Sequence, residues 1–355
     1  MVNIEQKVKN MLRLVAQQGA SDLHLVVGRY PTYRIDGKLY PLTQEAILTP
    51  AMLRDICSAV LSEEMKKKFE NDKQVDFSYN FEDKARFRVN AFYQQGYVSV
   101  AFRLIPHEIR TLEELGVPDS LYDFTKISQG LVLVVGPVGH GKSTTLAALI
   151  NEINHNQEKH ILTIEDPIEY VYEQDRSIIN QREVYQDATS FPAALKSMFR
   201  EDANVVLIGE MRDLDTISTT LTAAETGHLI FGTLHTNSAA QTIDRIIDVF
   251  PAHQQNQVRS QLANVLIAIV SQRLIPCIEE GRVPAVEIMV KNHAIESLIR
   301  EGKTHQIANV IETGSSEGMV SMDRALVDLV RKGKISVESA LEYSTDPKNF
   351  QYILH

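Results

Sequence analysis

Leu131-Val132-Leu133-Val134-Val135-Gly136-Pro137-Val138-Gly139-His140-Gly141-Lys142-Ser143 is the stretch whose reading decides the fold. Its first five residues are apolar and rich in β-branching, the mark of a short buried strand. The next eight match G-x-x-x-x-G-K-[ST]. A helix is expected from Lys142 to Ile153. Strand, glycine turn and helix N-terminus together make an anion cradle. The glycines let successive backbone N–H groups converge on phosphate oxygens without a Cβ in the way, and the helix adds the positive end of its dipole. Gly136, Pro137, Val138, Gly139, His140, Gly141, Lys142, Ser143 and Thr144 are therefore the expected nucleotide-phosphate-binding set, with Lys142 bridging the β- and γ-phosphates and Ser143 on Mg2+. A chance glycine-rich turn is the bland alternative; the Lys-Ser pair and the flanking elements weigh against it. The His140 side chain is expected to point away from the loop interior.

Downstream, short apolar strands alternate with helices: Ile161 to Ile164, Val205 to Ile208 and Leu229 to Thr233. That alternation argues for a parallel sheet covered on both faces. Ligands of such sheets gather at the carboxyl ends of the strands, and the polar residues here fall at those ends. Glu165, Asp166 and Glu169 follow the first strand. Glu210 follows the second, four apolar residues and a glycine placing it on the Mg2+ side. His235 follows the third and is expected at the γ-phosphate. Acids at such points also cap strand-to-helix turns, and a lone histidine is more often structural. Both acidic clusters lying downstream of a phosphate loop favours the functional reading.

The part before this block has a different texture. Ile4, Val8, Met11, Leu12 and Val15 recur at helical spacing, and Gly19 stops that helix. Short alternating runs follow, with Asp36-Gly37 as a hairpin dipeptide. A second helix is expected from about Pro50 to Phe69, carrying Lys66, Lys67 and Lys68 near its end. Strands are expected at Val75 to Phe81, Ala85 to Gln94 and Tyr97 to Leu104, and Arg86, Arg88 and Arg103 lie on them. The division is an α+β domain over 1–106, a linker over 107–118 and an α/β domain over 119–355. A length of 355 residues suits two domains. With 44% hydrophobic and 23% charged residues, the chain is neither collagenous nor wholly disordered. The formal charge of −10 disfavours non-specific duplex binding. Two cysteines, Cys57 and Cys277, make neither a zinc pattern nor a disulfide framework, which points to a reducing cytosol. No signal peptide and no run of about 18 apolar residues is visible.

The order of these boxes resembles the secretion-superfamily ATPases, and over nearly the whole chain it is similar to the type IV pilus retraction ATPase family. Ala20-Ser21-Asp22-Leu23-His24, Arg86-Phe87-Arg88-Val89-Asn90, Asn180-Gln181-Arg182-Glu183-Val184 and Gly209-Glu210-Met211-Arg212-Asp213 carry the likeness. The resemblance implies a homo-hexameric ring, each chain an N-terminal PAS-like domain followed by a RecA-like P-loop domain. It implies ATP hydrolysis that drives pilin depolymerisation at an inner-membrane platform protein, from a cytoplasmic, peripheral position and without nucleic acid. It assigns Glu210 as the Walker B acid, Glu169 as first choice and Glu165 as second for polarising the attacking water, His235 as the γ-phosphate contact, and Arg88 and Arg103 as N-domain arginines that close on nucleotide.

Some residues depart from the family pattern. Val138 and His140 stand where its loop usually has Thr and Ser, and Ala203 where it has Pro. In Ala294-Ile295-Glu296-Ser297-Leu298-Ile299-Arg300-Glu301, Glu296 replaces an arginine; an exposed pair with Arg300 four residues on is the bland reading. The alternatives are an assembly ATPase of the same superfamily, a nucleotide-binding scaffold and a RecA-like nucleic-acid translocase. Assembly enzymes usually carry a further N-terminal domain and a four-Cys zinc insertion. This chain starts at the smaller domain and has two cysteines, which favours retraction.

Overall fold

A computed structural model describes residues 4–35, 38–81, 85–105 and 108–354; the expected turn Asp36-Gly37 lies outside the described residues. The fold is mixed α/β, and the chain divides into two compact units. Unit 1 comprises Met1–Glu108 and Pro167–Val171; unit 2 comprises Ile109–Asp166 and Tyr172–His355. Residues 109–118 thus cluster with unit 2, where Thr111 opens a short helix with a reciprocal capping box to Glu114.

Unit 1 contains α1 (Ile4–Gln17), β1 (Asp22–Leu25), β2 (Thr32–Ile35), β3 (Lys38–Pro41), α2 (Pro50–Val60), α3 (Glu63–Asp72), β4 (Gln74–Phe81), β5 (Ala85–Gln94) and β6 (Tyr97–Ile105). The six strands form one antiparallel sheet in the order β3-β2-β1-β6-β5-β4. Strict alternation along β5 buries Phe87, Val89 and Ala91 on one face and leaves Arg86, Arg88 and Asn90 on the other. The buried face meets Val8, Met11, Leu12 and Val15 of α1 and Leu53, Ile56 and Cys57 of α2 in a single core. The single helix expected over Pro50 to Phe69 is two helices. Leu61 leaves the helical region and the Ser62 hydroxyl caps a new start by accepting from the Met65 N–H. The three lysines accordingly sit in the middle of α3.

Unit 2 contains α4 (Leu112–Leu115), α5 (Leu121–Thr125), β7 (Gly130–Val135), α6 (Lys142–Asn156), β8 (His160–Glu165), β9 (Ile178–Glu183), α7 (Phe191–Met198), β10 (Val205–Ile208), α8 (Leu214–Glu225), β11 (Leu229–Leu234), α9 (Ala239–Asp248), α10 (Ala252–Val265), β12 (Leu266–Pro276), β13 (Arg282–Val290), α11 (His293–Glu301), α12 (Ile307–Thr313), α13 (Met322–Arg331), α14 (Val337–Tyr343) and α15 (Pro347–Leu354). The sheet order is β13-β12-β7-β11-β10-β8-β9, parallel except for β13. All six residues of β7 and all four of β10 are buried, as strands covered on both faces require. β7 lies between β12 and β11, so the loop that leaves its carboxyl end is flanked by the ends of the strands beside it. The pair β12–β13 was not read from the sequence: a continuous apolar run such as Leu266 to Val270 does not distinguish strand from buried helix. Beyond it, α13 and α15 join Ile275 and Ala285 in a smaller core. There the buried Asp323 carboxylate accepts from the Thr345 N–H and hydroxyl and the Asp346 N–H.

Candidate nucleotide-phosphate site

The turn between β7 and α6 is shaped by glycine at two points. Gly136 has φ +147°, and a Cβ there would lie 2.3 Å from the Gln272 carbonyl oxygen of β12. Gly141 caps α6 in the left-handed region at φ +81°, where an L side chain is strained. Lys142, the first residue of α6, is buried, with 7% of its surface exposed. Its ammonium turns back along the loop and donates to the carbonyls of Gly136 and Pro137, each at 2.9 Å. Ser143 and Thr144 are half-buried beside it, and Val138 at the loop tip is exposed.

Two strand ends converge on that ammonium. His235 follows β11, and its Nδ1 lies 3.3 Å from Lys142 Nζ. Glu210 follows β10, and its Oε1 lies 3.2 Å from His235 Nε2. An ammonium can only donate, so Nδ1 accepts, and the ring proton sits on Nε2 facing the carboxylate. Burial holds His235 below its ordinary pKa, and the neighbouring Lys142 charge adds to that. The ring is therefore neutral near pH 7. Glu210 also accepts from Arg212 Nε. The Thr233 hydroxyl donates to the Gly209 carbonyl at 2.5 Å and the Met211 N–H to the Thr233 carbonyl at 3.0 Å, which fixes the ends of β10 and β11 against each other.

Glu165 closes β8. It is buried, and its carboxylate accepts the Thr163 hydroxyl at 2.7 Å. A Cβ on Gly209 would come within 3.2 Å of the Glu165 Cα, so β8 and β10 meet closely at their carboxyl ends. Glu165 thus belongs to the same unit as the loop, Glu210 and His235.

Glu169, Arg88 and Arg103 belong to unit 1. Glu169 Oε1 lies 4.0 Å from an Arg88 guanidinium nitrogen. Arg88 and Arg103 face each other across β5–β6, and Asp22 faces both Arg103 and Arg34 in the neighbouring strands. Arg103 Nε donates to Asp22 Oδ1 at 2.8 Å, and Ser21 Oγ to Oδ2 at 2.7 Å. Burial pulls the Asp22 pKa up, but these two partners outweigh it and hold the carboxyl below its ordinary value. In unit 2, Glu296 pairs with Lys291 at 3.2 Å and His293 at 3.5 Å, while Arg300 reaches the Asn264 side chain. The helix pair expected from spacing is replaced by a neutralising cluster.

Sequence reading missed Gln272 and Leu274 of β12 and Arg282 of β13. Each touches the phosphate loop: Gln272 Nε2 donates to the His140 carbonyl at 2.9 Å, the Leu274 N–H to His140 Nδ1 at 2.9 Å, and Arg282 to the Gly139 carbonyl at 3.3 Å. The only available signal was a polar pair, Ser271-Gln272, closing an apolar run. The His140 ring is turned onto β12. Burial lowers its pKa, with Arg282, Arg273 and Lys142 acting in the same direction.

A histidine whose folded-state pKa lies below the unfolded value of about 6.5 adds stability above that pH. That stability is lost as pH falls from there towards the lowered folded-state value. His140→Asn should flatten the fall in melting temperature between about pH 7.5 and 5.5 relative to wild type. Equal slopes in thermal melts would refute the assignment.

The type II/IV secretion system protein family pattern matches residues 2–341. The chain is 48% identical over 348 residues to the type IV pilus retraction ATPase PilT of Pseudomonas aeruginosa, covering 97% of this chain and 99% of that one. It is 43% identical over 350 residues to a twitching motility protein of Neisseria gonorrhoeae, covering 98% and 93%. Among solved structures, the pilus retraction motor PilT with bound ADP superposes with a TM-score of 0.90 at 45% identity, covering 97% of this chain and 99% of that one. The chain therefore belongs to the type II/IV secretion system protein family and, within it, to the pilus retraction ATPases.

Proposed function

We propose that the chain is an ATP-hydrolysing motor that powers type IV pilus retraction. The observation that carries the reading is the line Lys142–His235–Glu210, in which a phosphate-loop lysine, a histidine and an acid from three adjacent strand ends are joined at 3.2–3.3 Å. The kinship supplies the process: one relative is named for pilus retraction, another for twitching motility, and the related crystal structure holds ADP. Unit 1 is read as the PAS-like domain and unit 2 as the RecA-like domain.

The residues divide the chemistry. Lys142 exchanges its two carbonyl partners for phosphate oxygens. His235, held neutral beside it, contacts the γ-phosphate. Mg2+ suits the donors present, since the Ser143 hydroxyl and the Glu210 carboxylate are oxygen ligands and the ion takes few protein ligands beside phosphates and waters. Bound there, it would neutralise phosphate charge during transfer. Arg88 and Arg103 are cations facing each other in adjacent strands, a site that suits anions and already carries Asp22 beside Arg103 and Glu169 beside Arg88. Glu169 or Glu165 polarises the water. Unit 2 supports Glu165, whose buried carboxylate shares that unit with the loop; family order supports Glu169. The chain works as a homo-hexamer on the cytoplasmic side of the inner membrane, against a platform protein. Among the described residues no helix is long and apolar enough to cross a membrane.

Lys142→Ala should abolish detectable ATP binding by fluorescent-analogue titration; micromolar binding in the variant would sink the loop assignment. Of Glu165→Gln and Glu169→Gln, the one that keeps binding and loses turnover by about 10²–10⁴-fold is the water-polarising acid. Two fully active variants would remove both. Deleting the gene in a piliated host should leave surplus pili and no twitching, whereas loss of pili would mean assembly.

A further inference from the structure

β12 runs past the end of β7. Their parallel ladder ends at Ser271 opposite Val135, and there β7 turns away into the phosphate loop. The next residue, Gln272, is 2% exposed. A buried side-chain amide needs partners at both ends, and Gln272 has them on the two halves of one turn. Nε2 donates to the His140 carbonyl in the loop at 2.9 Å. Oε1 accepts from the Thr145 hydroxyl in the first turn of α6 at 2.8 Å. The main chain adds a third constraint, since the Gln272 carbonyl leaves no room for a Cβ at Gly136. Two residues on, the Leu274 N–H donates to His140 Nδ1 at 2.9 Å.

We propose that Gln272 is a positioning residue for phosphate binding: its amide clamps the His140 carbonyl to the Thr145 hydroxyl and so sets the width of the loop between Gly136 and Lys142. The physical reason is geometric. A phosphate loop works only if its backbone N–H groups aim at one point, and a loop with glycines at positive φ has several other conformations within reach. The ladder that orders β7 stops where the loop starts. The Gln272 amide takes over by joining the loop's last turn to the helix that presents Lys142 and Ser143. His140 supports the same clamp through its ring, which accepts from Leu274 only while Nδ1 is unprotonated. This inference rests on the ATP-binding reading of the loop and extends it to residues of another strand.

The test is nucleotide binding and steady-state hydrolysis by the full chain. Gln272→Met keeps the volume and removes both hydrogen bonds; Thr145→Val removes one of them. Each should weaken binding of a fluorescent ATP analogue about tenfold, a shift of about 1.4 kcal/mol, and raise KM by a larger factor than it lowers kcat. Thr145→Ser, which retains the hydroxyl, should recover most of the affinity that Thr145→Val loses. The double variant Gln272→Met/Thr145→Val should be no weaker than Gln272→Met alone, because both remove the same clamp. A purely structural role would instead lower the melting temperature with KM unchanged, and that result overturns the proposal. So would additive losses in the double variant. If Gln272→Met does not fold, the Thr145→Val and Thr145→Ser pair carries the same decision. Wild-type protein that binds no ATP refutes the motor reading itself; ATP-binding wild type with unaffected variants refutes only the clamp.

Discussion

A buried ammonium is the constraint on which unit 2 turns. Taking a charge out of water costs several kcal/mol unless hydrogen bonds replace the solvent. Lys142 meets that demand with two carbonyls of its own loop and the Nδ1 of His235. Each partner then imposes a condition. The carbonyls require the loop to fold over the lysine, and glycines make that possible. The histidine must be neutral and must keep its proton on Nε2, which in turn calls for an acceptor on the far side, and Glu210 is there. One cation thus orders a tautomer and a carboxylate, while the Thr233 hydroxyl and the Met211 N–H fix the ends of β10 and β11 that carry them.

The same logic explains why the site falls where it does in the sheet. Parallel strands deliver their carboxyl ends to one edge, and β7 has a neighbour on each side. β11 brings His235 to the lysine from one side, while β12 brings Gln272 to the back of the loop from the other. The loop is therefore held between a polar pair at the Lys142 ammonium and a buried amide behind it. Neither flank replaces the other: the first adjusts charge and the second adjusts shape.

The parts of this arrangement that were legible in the sequence are those with local periodicity or a fixed spacing. The strand before Gly136, the loop and α6 form one continuous signal, and the acids at Glu165 and Glu210 follow apolar runs of strand length. What stayed hidden depends on contacts distant in sequence. Gln272 is separated from His140 by 132 residues, and nothing near it distinguishes a clamp from a polar residue ending a strand. The break between α2 and α3 was visible in principle, since Ser62 followed by Glu63 and Glu64 is an N-terminal signal. The helical run on either side masked it. Glu296 shows the limit of spacing arguments: the four-residue interval to Arg300 is real, yet Lys291 and His293 lie closer.

Glu165 and Glu169 are four residues apart, and sequence treats them as one acidic cluster. The fold separates them, because Pro167–Val171 clusters with unit 1. Glu165 is buried in unit 2 with a hydroxyl on its carboxylate, an environment that fixes its orientation. Glu169 is half-exposed beside Arg88, an arginine that itself faces Arg103. A carboxylate paired at 4.0 Å with an exposed guanidinium gains little stability from the contact, since such pairs are worth roughly 0–1 kcal/mol. The short acidic segment thus places one buried carboxylate in the unit that holds the phosphate loop and one more exposed carboxylate in the unit that holds the arginines, so four residues of sequence serve two different cores.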